Sequence, residues 1–316
     1  MNACKPAVRE LAQGGVAMSG TMAQLITANW QVPASSNLAE ASAYFHGGGV
    51  GNLVGFLVLL HNAAGGKPEI EKPPLEPRPA TGIYHPDARS PFLSLEDYET
   101  WLSRRFDGAT KRVGILFFKT LLDHGETAPV DAIIRALEKR SLAPVAVFGW
   151  PLSQAEPFLT RDGKPAVELL LLVDPVMPSP DNTQFLEKHG LHSMNLLTTS
   201  ATEAEWRGEE SGLPAGRLPI QVGNPERSGV TEPILIAAAA PTSDGGKPVP
   251  LPGQVELAAS RAARWVALRT KPNWEKRLAL IYFNNPPGKA TLGASYLDLI
   301  PSLSNVVARL RNEGYL

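Results

Sequence analysis

Continuous apolar runs alternate with helically spaced apolar positions along this chain of 316 residues. Arg112–Phe118 (RVGILFF) is a run of strand length. After it, Val130, Ile133, Ile134 and Leu137 recur at i, i+3, i+4 and i+7, the stripe of an amphipathic helix. Thr127 and Pro129 suit the start of that helix. Leu142–Trp150 (LAPVAVFGW) is a second apolar run. Together they predict a complete βαβ unit with a parallel strand pair. Thr81–Tyr84 reads as a short strand ahead of it, and Leu95–Ser103 as a helix. Further strands are expected at Glu168–Val173, Met194–Thr199 and Ile234–Ala239. Residues 200–233 read as largely irregular, with one helical stretch near Thr202–Gly208. Val255–Arg269 has the spacing of an amphipathic helix that is basic on one side.

The two ends carry different patterns. Leu38–Tyr44 and Asn52–Leu60 are helix candidates around the glycine cluster Gly47–Gly51. Val50–His61 is too short to span a bilayer and reads as a buried helix. At the other end Arg277–Phe283 is an apolar run of strand length, followed by a turn from Asn284 to Gly288 and a polar loop. A helix starts near Pro301, with Leu303, Val306, Val307 and Leu310 on one face and Gly314 as its stop. Strand, loop and helix are the first half of a βαβ unit whose returning strand is absent. The expectation is a piece of a larger protein. The implied division is a helical segment 1–65, a linker 66–80, an α/β domain 81–240, a linker 241–253, and 254–316 as a helix plus the incomplete start of a second α/β domain. The fold class is α/β, with Rossmann-like or flavodoxin-like parallel-sheet units behind an N-terminal helical segment.

Composition narrows the function classes. Hydrophobic residues make up 43% and charged residues 19%, enough for a sizeable core. A net charge of −1 asks for neither nucleic acid nor an anionic membrane as partner. The single cysteine, Cys4, excludes an intramolecular disulfide and a thiolate-rich metal site, and agrees with a reducing compartment. Glu10 and Gln13 interrupt any apolar stretch after the basic Lys5 and Arg9, so no targeting segment is read and a cytoplasmic location is expected.

Three segments carry a family resemblance: GIYHPDA at Gly82–Ala88, the whole of Arg112–Phe148, and Lys271–Tyr315 with its PPGK and GASYLD pieces in order. Together they resemble the large, tetrapyrrole-binding subunits of cobaltochelatase and magnesium chelatase, the cobalt type more closely. The glycine-rich YFHGGGVGNLVGFLVLL at 44–60 looks like that family's element before the linker. Members are several times longer, so the chain is similar to a fragment from the N-terminal half. It departs from the family in 151–240, where LLLLVDPVMPSPDN stands, and at Ala290 and Thr291, which replace a common Gly-Asn. The resemblance implies insertion of a divalent metal, Co²⁺ ahead of Mg²⁺, into a tetrapyrrole or corrinoid. It also implies that ATP is hydrolysed by separate ring-forming ATPase subunits and not by this chain. The residues agree independently. A phosphate loop needs Gly-x-x-x-x-Gly-Lys-Ser/Thr, and here Phe283 and Ala290 occupy the first and last positions.

Metal insertion needs groups that strip water from the ion and take two pyrrole protons. In open α/β sheets such clefts lie beyond the carboxyl ends of strands. His124 and Glu126, after the strand 112–118, are the catalytic candidates; a solvated loop and helix cap is the competing reading. His85 is a substrate-facing candidate, with a turn at Pro86 and a helix cap at Asp87 as its alternative. Lys289, Ser295 and Tyr296 are the remaining macrocycle contacts, and Gly288 and Gly293 shape their loop. No metal-ligand set is assigned. His189 and His192 have ligand spacing, but Gly190 between them weakens a helix and no third ligand is near. The tryptophans 150, 206, 265 and 274 are scattered, as in a core. Two other functions stay open. One is a chelatase-like protein of haem uptake that removes the metal. The other is a non-catalytic split-gene module that needs a separately encoded C-terminal remainder.

Overall fold

Residues that are apolar on both faces of a strand can be buried only between two helical layers, and the apolar runs found that place. The computed structural model describes residues 38–63, 66–106, 110–175, 180–210, 212–241, 246–281 and 297–315. They fall into two units, Met1–Ala259 and Ser260–Leu316.

In the first unit, helices α1 (Leu38–Gly47) and α2 (Gly49–Ala63) form a hairpin. An extended segment, 66–80, leads to β1 (Gly82–Tyr84) and α3 (Leu95–Leu102). The βαβ unit follows as β2 (Arg112–Phe117), a short α4 (Lys119–Asp123), α5 (Ala128–Glu138) and β3 (Ala143–Phe148). Next come α6 (Leu152–Leu159), the small pair β4 (Thr160–Arg161) and β5 (Lys164–Pro165), β6 (Leu169–Val173), α7 (Pro180–His189) and β7 (Ser193–Thr202). Then follow α8 (Glu203–Gly208), a π-helical turn at Pro219–Gly223, α9 (Asn224–Arg227), β8 (Val230–Ala239), β9 (Pro248–Pro250) and the start of α10 (Pro252–Thr270).

Seven strands make one sheet in the order β1-β3-β2-β6-β7-β8-β9. The five inner strands are parallel, and β1 and β9 are antiparallel at the edges. Numbered by first appearance, the parallel strands run 2-1-3-4-5, the flavodoxin-like order. β2 and β3 pair in register from Arg112 with Ala143 to Phe117 with Phe148, as the βαβ pattern requires. Leu116, Val145, Val147, Leu170 and Leu172 lie in one core cluster with residues of α3, α6 and α7. Alternation sends Ile115, Ala146 and Leu171 to the other face. The apolar stripe of α5 is fully buried, and that helix packs on β2 and β3.

Several expectations need correction. The helix at Val50–His61 is present as α2, but it is not buried all round. Its stripe Asn52, Gly55, Phe56 and Leu59 is covered, while Val50, Leu53, Val54 and Leu57 are exposed, Val50 by 76%. Hydrophobicity marked the helix, but only a partner can choose which face is hidden. Helices α6 and α7 were not anticipated. Pro151 and Pro157 obscured the first, and the polar start PDNT obscured the second.

In the second unit the helix expected near Pro301 is α11 (Leu299–Asn312). Asn273 Nδ2 donates to the Glu313 carbonyl at 2.7 Å, tying the turn Asn273–Glu275 to the segment after that helix. The strand expected at Arg277–Phe283 is not seen over residues 277–281, which are exposed and carry no strand pairing. An apolar run becomes a strand only where a neighbour takes its backbone hydrogen bonds. Trp274, expected in a core, is 62% exposed.

Candidate functional site

The first parallel strand, β2, ends at Phe117, and the chain turns at Phe118 into the single turn and a half of α4. This end of β2 has β3 on one side and β6 on the other; the sheet order reverses towards β6, and the carboxyl end of β3 (Phe148) lies on the opposite side. Here an open cleft of about 560 Å³ is lined by Lys119, Leu122 and Asp123 of α4, by Pro77–Pro79 of the extended segment, and by the loop from His85 to Leu93. Its size falls within the roughly 300–1,000 Å³ usual for small-molecule sites.

The cleft's charged wall is built by close packing. Lys119 Nζ bonds Asp123 Oδ2 at 2.7 Å, one helical turn away, and reaches the Gly47 carbonyl at 3.4 Å. Arg78 Nη1 stands 3.5 Å from Asp123 Oδ1. That oxygen is buried and accepts no hydrogen bond. The glycine cluster explains how α1 and α2 come so near. A Cβ on Gly48 would lie 2.2 Å from the Asp123 carboxyl carbon, and one on Gly49 would lie 2.3 Å from the Arg78 guanidinium carbon. Both glycines also have positive φ, +69° and +80°. Asn52 then fixes the extended segment: its Nδ2 donates to the Gly48 and Glu76 carbonyls, and its Oδ1 accepts from Glu76 N at 2.8 Å.

His85 forms part of the cleft wall, with its side chain shielded from solvent. Its ring lies 4.7 Å from that of Trp101. Nδ1 accepts from the Asp87 amide at 3.2 Å, so the proton sits on Nε2, which faces Glu138 Oε1 at 3.3 Å. Burial lowers its pKa against the opposing pull of Glu138. Asp87 does not cap a helix. It pairs with Arg135 and Arg105, which hold its carboxyl well below the usual range, and Ser94 caps α3 instead. Burial pushes the neighbouring Tyr84 phenol up to about 12, and the phenol donates to Asp131 at 2.8 Å. Thr127 does occupy the N-cap of α5, but its hydroxyl pairs with Asp131 Oδ2 at 3.2 Å rather than with a helix amide.

His124 and Glu126 do lie at the carboxyl edge of β2, His124 exposed as the C-cap of α4. Neither belongs to the cleft wall, and among the described residues neither side chain makes a hydrogen bond. The α4 turn puts Lys119 and Asp123 there in their place. Their i, i+4 spacing was a signal that the sequence reading passed over. Lys289, Ser295, Tyr296, Gly288 and Gly293 lie outside the described residues. His189 ends α7 and bonds Glu156 at 3.0 Å, whereas His192 follows Gly190 (φ +56°) towards β7, so they do not share a helix. Among the described residues no group of three or more His, Cys, Asp or Glu side chains could hold a metal.

A second polar cluster lies at the same edge. Asp174, at φ +47° just past β6, accepts from Thr198 N at 2.8 Å and from Thr198 Oγ1 at 2.5 Å. Burial raises its pKa, and the Thr198 bonds oppose that rise. It ties β6 to β7 beside the strand-order reversal. Its place in the apolar run LLLLVDP gave no warning of this.

A parallel sheet in the 2-1-3-4-5 order, with a cationic cleft at the carboxyl ends of β2 and β3, makes this an open α/β domain. The family model for CobN/magnesium chelatase matches residues 42–316, and the chain belongs to that family. It is 30% identical over 298 residues to the aerobic cobaltochelatase subunit CobN of a Sinorhizobium species, covering 86% of this chain and 23% of the relative. It is 28% identical over 256 residues to the chloroplastic magnesium-chelatase subunit ChlH of Oryza sativa subsp. indica, covering 74% and 18%. The catalytic subunit of cobaltochelatase from Mycobacterium tuberculosis has the same fold, with a TM-score of 0.62 at 21% identity over 88% of this chain and 23% of that one. The chain thus spans between 18% and 23% of the length of these relatives. No described helix is long and apolar enough to cross a membrane.

Proposed function

We propose that this chain is the part of a cobaltochelatase-type large subunit that helps bind a corrin precursor for insertion of Co²⁺, in the cytoplasm. The observation that carries the reading is the family match over residues 42–316, which contains the whole cleft. Co²⁺ is here a substrate. ATP hydrolysis belongs to separate ring-forming subunits, in keeping with the failed phosphate-loop pattern at Phe283 and Ala290. Insertion removes two pyrrole protons, and His124 and Glu126 are the groups offered for metal or proton handling. Lys289, Ser295 and Tyr296, with Gly288 and Gly293, are offered as macrocycle contacts. His85, neutral and buried, shapes the cleft wall. A chain that spans this share of its relatives is expected to bind without turning over.

Titration of the purified chain with hydrogenobyrinic acid a,c-diamide and with haem tests this. Trp150, 5.3 Å from the Phe118 ring beside α4, is a local fluorescence reporter. Saturable quenching by the corrinoid supports the proposal. Preference for haem moves the function to metal removal in haem uptake. A folded chain that binds neither sinks the macrocycle reading.

A further inference from the structure

The charges in the cleft do not balance. Arg78, Arg89 and Lys119 contribute to its wall, against the single carboxylate of Asp123. Lys119 already satisfies one oxygen of that carboxylate at 2.7 Å. Arg78, at 3.5 Å, touches the other oxygen without a hydrogen bond, and its side chain keeps 35% of its exposure. Arg89 is exposed and forms no ion pair among the described residues. Among the described residues Asp123 is the only carboxylate in the cleft wall, and the nearby Asp87 and Glu138 are engaged by Arg105 and Arg135. His85 adds no charge, since its buried ring is neutral. Apolar parts of the wall come from Pro77, Pro91, Leu93 and Phe148, with Tyr84 and Ser90 as polar members.

We infer that this cleft is a carboxylate-recognition subsite, in which Arg89 and Arg78 hold an anionic substituent at the rim of a ligand whose flat apolar body rests on Pro77, Pro91 and Leu93. A guanidinium presents a planar fork that matches a carboxylate in two parallel hydrogen bonds. The Arg78 fork is pre-placed, because its guanidinium lies against the bare backbone of Gly49, where no Cβ could stand. A group fixed before binding loses less freedom when the ligand arrives. The inference rests on the macrocycle reading above and assigns its side-chain acids, rather than its metal-facing centre, to this part of the protein.

The test compares dicyanocobyrinic acid with dicyanocobinamide, whose ring is the same and whose side-chain carboxylates are amides. Both are titrated into the full chain and into the Arg89→Ala, Arg89→Gln and Arg78→Ala variants, with tricarballylate as a ring-free probe. The acid is expected to bind about tenfold tighter than the amide, the scale of one exposed charge-assisted pair. Either Arg89 variant should remove that preference, weakening the acid about tenfold and the amide by less. Equal binding of acid and amide by the unaltered chain overturns the subsite and leaves the macrocycle reading standing. So does a preference that survives Arg89→Ala. Arg89-dependent binding of tricarballylate without either corrinoid keeps the subsite and overturns the macrocycle reading. Binding of none of the three overturns both.

Discussion

Replacing Gly48 with alanine places a methyl group 2.2 Å from the Asp123 carboxyl carbon and 2.4 and 2.5 Å from its oxygens. Gly125 supplies the control. Its φ is +67° against +69° for Gly48, but nothing lies within 4 Å of the position its Cβ would take. Left-handed backbone costs a non-glycine residue about 1–2 kcal/mol, and this charge is common to both substitutions. At Gly48 a second effect is added. Asp123 has a short side chain and is only 11% exposed, so it cannot swing clear without giving up Lys119 at 2.7 Å. Losing a partly buried charge-assisted bond adds about 1.5–3 kcal/mol. Gly48→Ala should therefore destabilise by about 2.5–5 kcal/mol and Gly125→Ala by about 1–2 kcal/mol. Urea unfolding followed by tryptophan fluorescence gives both values, and hydrogen exchange over residues 119–123 locates the loss. Adding Asp123→Ala to Gly48→Ala removes the obstructing carboxylate. The double variant should then be less damaged than the two single changes summed, by at least 1 kcal/mol on the order expected for contacting residues. Equal destabilisation by Gly48→Ala and Gly125→Ala, or strict additivity with Asp123→Ala, would refute the close-packing argument.

Asn52→Ala removes all three bonds to Gly48 and Glu76; exchange of the Glu76 amide should rise by about two orders of magnitude, the scale of roughly 3 kcal/mol of local stability. Ile115→Ala, in a fully buried position of the central strand β2, should lower global stability by about 2–5 kcal/mol in the same denaturant assay. His85 has a pKa lowered by burial, so between its ordinary value and the lowered one the unfolded chain binds more protons than the folded chain. Stability should fall as pH drops below about 6.5, and His85→Gln should flatten part of that slope; His192, lowered for the same reason, keeps the rest. In an ultraviolet titration Tyr84 should ionise near 12, and its contribution should vanish in Tyr84→Phe.

The readable parts of the sequence were those in which one segment carried its own pattern. The stripe Val130, Ile133, Ile134 and Leu137, between two runs too apolar to face water, specified a parallel pair that is present residue by residue. Thr202 and Glu205 form a capping box at the start of α8, where a helix was expected. The run at 277–281 shows the limit of such patterns. Its hydrophobicity equals that of a strand, yet Ile281 is 95% exposed. The site followed the same rule. At the carboxyl edge of β2 the sequence pattern points to His124 and Glu126, whereas the residues that line the cleft there are Lys119 and Asp123.

By itself, then, the sequence determined the βαβ unit from Arg112 to Phe148, the other strands of the parallel sheet, and the family to which the chain belongs. Periodicities of 3.6 and 2 are local, and a stretch of chain expresses them wherever it lies. Only the tertiary structure decided the strand order, the exposed face of α2, and the meeting of Gly48 and Gly49 with Asp123 and Arg78. Those contacts join residues far apart in the chain. The absence of a Cβ has no consequence until another segment is pressed against it, and a charge has no partner until folding brings one within reach.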